Sequence, residues 1–261
     1  MSVQVEKLTA GYGKEPVLRD ISLAVREGCL CGLIGRNGSG KTTLMRCINA
    51  ILKPSQGRVI VSGKEIAKLS RNRLARLISV VPQGSFSPFP FSTYEMILMG
   101  GVARIRSWQS PGPEEKKRVW QVCEDVGISA FAYAPFNHLS GGQKQLVMLA
   151  RALYQDAPVM LLDEPNSHLD FCNQHRMMDL VHEIVKSQNK TALITLHDPN
   201  LALHYCDEVV MLKEGRVIVS GATEDMIVND NLKATLGENV KRDTTMSGLA
   251  VVVSRNVPAY R

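Results

Sequence analysis

Gly35-Arg36-Asn37-Gly38-Ser39-Gly40-Lys41-Thr42 is the stretch on which the reading of this chain turns. It has the spacing G-x-x-x-x-G-K-[ST]. Just ahead of it, Cys29–Ile34 is a short apolar run of strand character. From Lys41 onward the period changes, and Leu44, Cys47, Ile48 and Ile51 recur at helical spacing. Strand, glycine-rich turn, helix is the context in which this spacing has a mechanism. Glycines let the backbone N–H groups of residues 38–43, Thr43 included, turn inward around phosphate oxygens. The helix N-terminus adds a partial positive charge. Lys41 can reach the β- and γ-phosphates, and the Thr42 hydroxyl can ligate Mg²⁺. An ordinary glycine-rich turn would satisfy the spacing alone; spacing and context together favour the cradle.

The same alternation continues outward. Arg58–Ser62, Ile78–Val81, Val159–Leu162 and Thr191–Leu196 are strand candidates, and Val209–Leu212 with Arg216–Ser220 reads as a hairpin turning at Glu214-Gly215. Leu146, Leu149, Ala150 and Leu153 mark one amphipathic helix, and Met178, Val181 and Val185 another. Strands alternating with helices predict an α/β core on a largely parallel sheet. The rhythm breaks after Gly84, where a Ser/Pro/Phe-rich loop precedes helical stretches near Tyr94–Met99 and Pro113–Val126. A helical insertion over residues 84–157 is therefore expected within a domain spanning 1–228. Residues 229–261 form a polar tail with a possible strand at Leu249–Val253.

Composition sets outer limits. At 261 residues with 44% hydrophobic and 21% charged content, the chain can bury a core without disulfides or metals. No apolar run reaches the roughly 18–20 residues that a membrane span needs, and the N-terminus lacks the basic and apolar regions of a secretory signal; a cytosolic protein is expected. With 31 Lys+Arg against 25 Asp+Glu, the net charge of +6 suits an anionic partner. The basic residues are scattered, however, and the cluster Lys116-Lys117-Arg118 reads as a solvated helix start, so no nucleic-acid partner is expected. The six cysteines lack metal-ligand spacing and are read as reduced core thiols.

Two further motifs carry chemistry. Val159–Leu162 is an apolar strand delivering Asp163 and Glu164 at its C-terminal end. Asp163 can hold Mg²⁺ through its hydration shell, and Glu164 is placed to orient and deprotonate an attacking water. A surface turn is the bland reading of Asp-Glu-Pro, but the presence of Lys41 disfavours it. Leu139-Ser140-Gly141-Gly142-Gln143 stands immediately before an amphipathic helix, with Ser140 as candidate N-cap and two glycines leaving backbone N–H groups uncovered. That makes a second anion-binding helix start in one chain.

The full set resembles the ATP-binding cassette (ABC) ATPases, whose signature is the pentapeptide Leu139–Gln143; the resemblance covers about residues 3–225. It implies a P-loop NTPase (RecA-like) core with an N-terminal antiparallel β subdomain and the signature carried on the inserted helical subdomain. It also implies roles that spacing alone does not. Tyr12 corresponds to the aromatic that stacks on adenine, and Gln83 to the glutamine that contacts Mg²⁺ and senses the transporter subunit. Ser167-His168-Leu169-Asp170 corresponds to the loop crossing the dimer interface, and His197 to the switch histidine at the γ-phosphate. Asn166 stands where the family more often has threonine. In the family two cassettes stack head to tail, and residues 139–143 of one close over the ATP held by Lys41 of the other.

The resemblance favours a transporter. Too little chain separates Thr42 from Leu139 for the coiled coil of repair ATPases, and only one cassette is present; a soluble cofactor-assembly ATPase is the alternative that size allows. A cassette without its own membrane spans must dock on two permease subunits at the cytoplasmic face of the membrane. It would be served indirectly by an extracytoplasmic substrate-binding protein. The segments Phe89–Gly100 and Leu196–Leu203 resemble importers of iron–siderophore chelates, haem and cobalamin, although Gly101 stands where some members have arginine; another small-solute transporter is the runner-up. The loop Gly84–Ser92 offers an exposed apolar surface beside Gln83, suited to a partner.

Overall fold

Cys29–Ile34 lies at the centre of the fold because it has nothing polar to offer water. Its strand, and those read from the other apolar runs, are present in the computed structural model, which describes residues 1–13, 15–84, 86–104, 111–167 and 169–254. The chain opens with β1 (Val3–Ala10), β2 (Leu18–Val25), β3 (Leu30–Ile34), α1 (Lys41–Ile48), β4 (Gln56–Val61) and β5 (Lys64–Glu65). Then come α2 (Arg71–Ala75), β6 (Ile78–Val81), α3 (Thr93–Leu98), α4 (Pro113–Val126), α5 (Gly141–Gln155), β7 (Val159–Leu162) and α6 (Phe171–Ser187). β8 (Thr191–Leu196), α7 (Pro199–Tyr205), β9 (Glu208–Lys213), β10 (Arg216–Ala222), α8 (Thr223–Met226), α9 (Asn229–Leu236), β11 (Val240–Thr244) and β12 (Ala250–Ser254) follow. Contacts divide the chain into two units, Met1–Ala67 with the stretch from Leu193 onward, and Lys68–Ala192.

In the first unit an antiparallel sheet is ordered β2-β1-β4-β5. Val3 pairs with Val25 on one side and Val61 on the other, and all three are buried. Alternating burial along β2 is the pattern of a sheet with one wet face. A second sheet carries β10-β9-β3-β8. β3 runs parallel to β9, and both are buried almost throughout, as strands covered on two faces must be. The expected β9–β10 hairpin turns at Glu214 and Gly215, both with positive φ (48° and 74°), the demand of a tight hairpin turn.

The tail holds more structure than its sequence suggests. Besides the expected strand, found at Ala250–Ser254, it contains α9 and a strand partner, β11. Its buried apolar residues, Leu232 and Val252, are too far apart to make a periodic signal.

In the second unit β6 and β7 pair in parallel, Ile78 opposite Val159 and Val81 opposite Leu162. The unit takes in residues 84–157 together with β6, β7 and α6. Its helices start where local chemistry says they should: α3 on a Ser92/Glu95 capping box, α4 with Pro113 in the first turn, α5 on Ser140. Phe136 and Tyr154 fill the core beneath them. Gly101 is explained here, since a Cβ on it would lie 2.7 Å from the Tyr154 ring. An arginine at that position has no room.

Five cysteines are buried, as expected of core thiols, and burial pushes Cys47 and Cys123 up to about 11. Cys172 corrects that reading. It is exposed, because the first turn of α6 carries it on the outer side.

Candidate functional site

The phosphate loop belongs to the first unit. β3 ends at Ile34, and α1 begins at Lys41 behind Gly40, which takes φ 105°. That φ strains any other residue, and a Cβ there would also stand 2.7 Å from Leu18 Cδ2. Lys41 is 4% exposed, and its Nζ donates to the carbonyls of Gly35 at 2.7 Å and Arg36 at 3.3 Å. Backbone oxygens of the loop thus help hold the buried ammonium in place. Ser39 accepts from Gly215 N–H at its carbonyl (3.0 Å), tying the loop to the β9–β10 turn. A cavity of about 540 Å³ opens beside Gly38, and Arg19, Lys213 and Arg216 line it against the single acid Glu214. Positive potential on this side suits an anion.

Tyr12 is 58% exposed, and Arg46 of α1 holds it: Nη1 donates to the phenol oxygen at 3.0 Å, with the guanidinium 5.7 Å from the ring centroid. Sequence reasoning did not single out Arg46, and no spacing signal could have found it. His197 emerges exposed just past β8, every residue of which is buried.

The carboxylates and the signature belong to the second unit. Asp163 N–H donates to Val81 O at 2.9 Å, continuing the β6–β7 ladder to the point where the strands end. Glu164 follows at φ 49°, a left-handed conformation that costs an L side chain about 1–2 kcal/mol. Ser167 holds it there, with N–H (3.1 Å) and Oγ (2.8 Å) both donating to the Glu164 carbonyl. Gln83 Nε2 donates to Glu164 Oε2, so two residues 81 positions apart meet side chain to side chain.

Ser140 caps α5 in a reciprocal box. Its Oγ accepts from Gln143 N–H (3.3 Å), and its own N–H donates to Gln143 Oε1 (3.0 Å). The N–H groups of Gly141 and Gly142 remain at the helix mouth. Leu139 is buried beneath. Gly142 lies so close to Leu169 that a Cβ would stand 2.9 Å from Leu169 Cδ2. Asp170 caps α6, accepting from Asn173 N–H at 2.8 Å. His168 lies outside the described residues.

Gln145 was also missed. It is buried, and its Nε2 donates to Gln83 O at 3.0 Å, linking the signature helix to the segment that carries Gln83. The available signal was a lone polar residue one turn before Leu149 on the apolar face of α5.

Residues 18–167 match the family model described as ABC transporter. This chain belongs to that family. The cobalamin import ATP-binding protein BtuD of Halobacterium salinarum is 34% identical over 97% of this chain, and the chain spans 63% of that relative's length. Among solved structures, a chain of an ABC transporter described as metal-chelate type, in an inward-facing conformation, superposes with TM-score 0.86 at 27% identity, covering 98% of each chain. The dimeric ATP-binding cassette MJ0796, bound to ADP and Pi, superposes with TM-score 0.76 at 28% identity, over 85% of this chain and 98% of that one. The mixed α/β architecture, with its parallel-rich and antiparallel sheets, is the P-loop NTPase fold of these ABC cassettes.

Proposed function

We propose that this chain is the ATP-hydrolysing motor subunit of an importer that takes up a metal chelate of the iron–siderophore, haem or cobalamin type. The observation that carries the reading is the Gln83–Glu164 contact, because it joins the residue suited to activate water to a loop bearing exposed aromatics. Phe86 is 82% exposed and Phe89 61%, beside Gln83, and patches of this kind mark partner surfaces. No helix among the described residues is long and apolar enough to cross a membrane. Partners that span it, two permease subunits on whose cytoplasmic face the chain would sit, are part of the proposal. So is an extracytoplasmic substrate-binding protein acting through them. Similarity to the cobalamin and metal-chelate proteins supports the choice of cargo class.

In the reaction, residues 35–43 bind the ATP phosphates, with Lys41 neutralising charge on the transferred group. Tyr12 stacks on the base and His197 contacts the γ-phosphate. Glu164 takes the proton of the attacking water, and Gln83 orients that carboxylate. The resemblance assigns Mg²⁺ to Thr42, Gln83 and Asp163, whose hydroxyl, amide oxygen and carboxylate are the hard oxygens that such an ion takes. The ion would screen charge on the phosphates. Residues 139–143 and 167–170 complete the site of a second copy, as the head-to-tail pairing implied by the resemblance requires.

Glu164→Gln is the test. It is expected to retain ATP binding, lose turnover by at least 100-fold and accumulate as a dimer in ATP. Normal turnover would remove Glu164 from the mechanism, and copurification with cofactor-assembly proteins instead of a multi-helix permease would replace the import reading.

A further inference from the structure

The C-terminal hairpin raises a question that its composition does not answer: a two-stranded sheet is marginal by itself in water, so something must hold β11 and β12 in place. Their register sets Arg242 opposite Val252. At this pair the backbone groups of both strands turn outward, and an asparagine grips each edge. On the outer edge of β11, Arg242 N–H donates to Asn229 Oδ1 at 2.7 Å. On the outer edge of β12 the grip is double. Val252 N–H donates to Asn200 Oδ1 at 2.7 Å, and Asn200 Nδ2 donates to Val252 O at 3.0 Å. A carboxamide carries one donor and one acceptor side by side. Asn200 thus stands in for the strand that β12 lacks.

The two clamps differ in what they are attached to. Asn229 begins α9, inside the tail. Asn200 lies in the first turn of α7, three residues after His197, and its own N–H donates to Asp198 Oδ1 at 2.8 Å. Asp198 is the N-cap of α7 and the residue that follows His197. Leu201, Ala202 and Leu203 bury the inner side of α7. The turn Asp198-Pro199 that aims His197 is therefore fixed at its far end by the tail.

We propose that Asn200 is a positioning residue for His197 and that the β11–β12 hairpin is the splint through which it acts. The proposal rests on the reading that His197 contacts ATP. Loss of the clamp frees the first turn of α7 and misaims the histidine without touching the phosphate loop, so turnover falls while nucleotide affinity does not.

The experiment uses the full chain. Asn200→Ala is expected to lower kcat about 5- to 10-fold with KM for ATP unchanged, and to abolish the amide-exchange protection of Val252. Val252→Pro removes the N–H that Asn200 accepts while leaving no β11 partner at that position unpaired. It should lower kcat in the same direction but by no more than Asn200→Ala, because Asn200 Nδ2 can still donate to Val252 O, and the double variant should be no worse than Asn200→Ala alone. Wild-type kcat in Asn200→Ala, retained protection at Val252, or additive losses would each overturn the proposal. Should Val252→Pro fail to fold, the Asn200→Ala kinetics and exchange decide by themselves. His197→Ala separates the two levels. An inactive His197→Ala beside a fully active Asn200→Ala refutes the splint alone, whereas undiminished turnover in His197→Ala refutes the reading beneath it and the splint with it.

Discussion

Gln83 is held at two ends. Its side chain reaches Glu164, and its backbone carbonyl accepts from Gln145 at 3.0 Å. One hydrogen bond from the signature helix therefore helps set where the Glu164 carboxylate is met. Gln145→Met keeps the volume and the helix but removes the donor. Because an intramolecular hydrogen bond contributes about 1 kcal/mol net, kcat should fall about 5-fold. The KM for ATP should hold, since Gln145 is not part of the phosphate loop. Steady-state kinetics beside a melting curve check this; a shifted KM would place the effect elsewhere. Asn166, one position before Ser167, is 8% exposed with neither amide atom hydrogen-bonded among the described residues. Where the family more often has threonine, this asparagine thus places two buried polar atoms that no other described residue pairs with.

At the scale of elements, helix ends organise the second unit. α5 starts at the Ser140 box and stops at Asp156, which takes φ 60° as C-cap. Asp156 then receives Lys190 at 2.9 Å and Arg118 at 3.3 Å, joining the end of α5 to the residue before β8 and to the middle of α4. Partial burial pushes its carboxyl up, but the Lys190 hydrogen bond and the charges of Lys190 and Arg118 outweigh this and hold it below the usual range. A depressed carboxylate contributes stability above its unfolded value, near 3.9, and loses it as pH falls through the folded value. Asp156→Asn tolerates the left-handed backbone while removing the charge opposite buried Lys190. It should cost about 1–2 kcal/mol near neutrality, discounted for the half-exposed acid. That corresponds to a Tm lower by about 2–8 °C. The difference should be constant from pH 5 to 8 and close below about pH 4. A gap that widens in acid would contradict the assigned direction.

At the scale of the molecule, the docking surface proposed for the membrane partners is the exposed pair Phe86 and Phe89 beside Gln83. Phe86→Ser with Phe89→Ser should leave ATP affinity and fold intact, because both rings are solvent-exposed. It should abolish copurification with membrane partners, and retained association in a pull-down would move the docking surface elsewhere. The motifs themselves were legible beforehand for a common reason. Gly35–Thr42, Leu139–Gln143 and Asp163-Glu164 are each read within a few residues, where backbone geometry depends on neighbours along the chain. Apolar runs such as β3 and β8 were legible because two-sided burial leaves them nearly free of polar residues, with only Thr191 and Thr195 in β8. Contacts that cross the sequence were not: Tyr12 with Arg46 at 34 positions, Gln83 with Gln145 at 62, Asn200 with Val252 at 52. The sequence by itself determined the α/β class, the phosphate loop, the capped signature helix and the paired acids, since local spacing and burial pattern suffice for these. Only the tertiary structure decided which side chains hold Tyr12, Gln83 and the C-terminal hairpin in place. A hydrogen-bond partner is chosen by proximity in space, and distance along the chain leaves no trace of it.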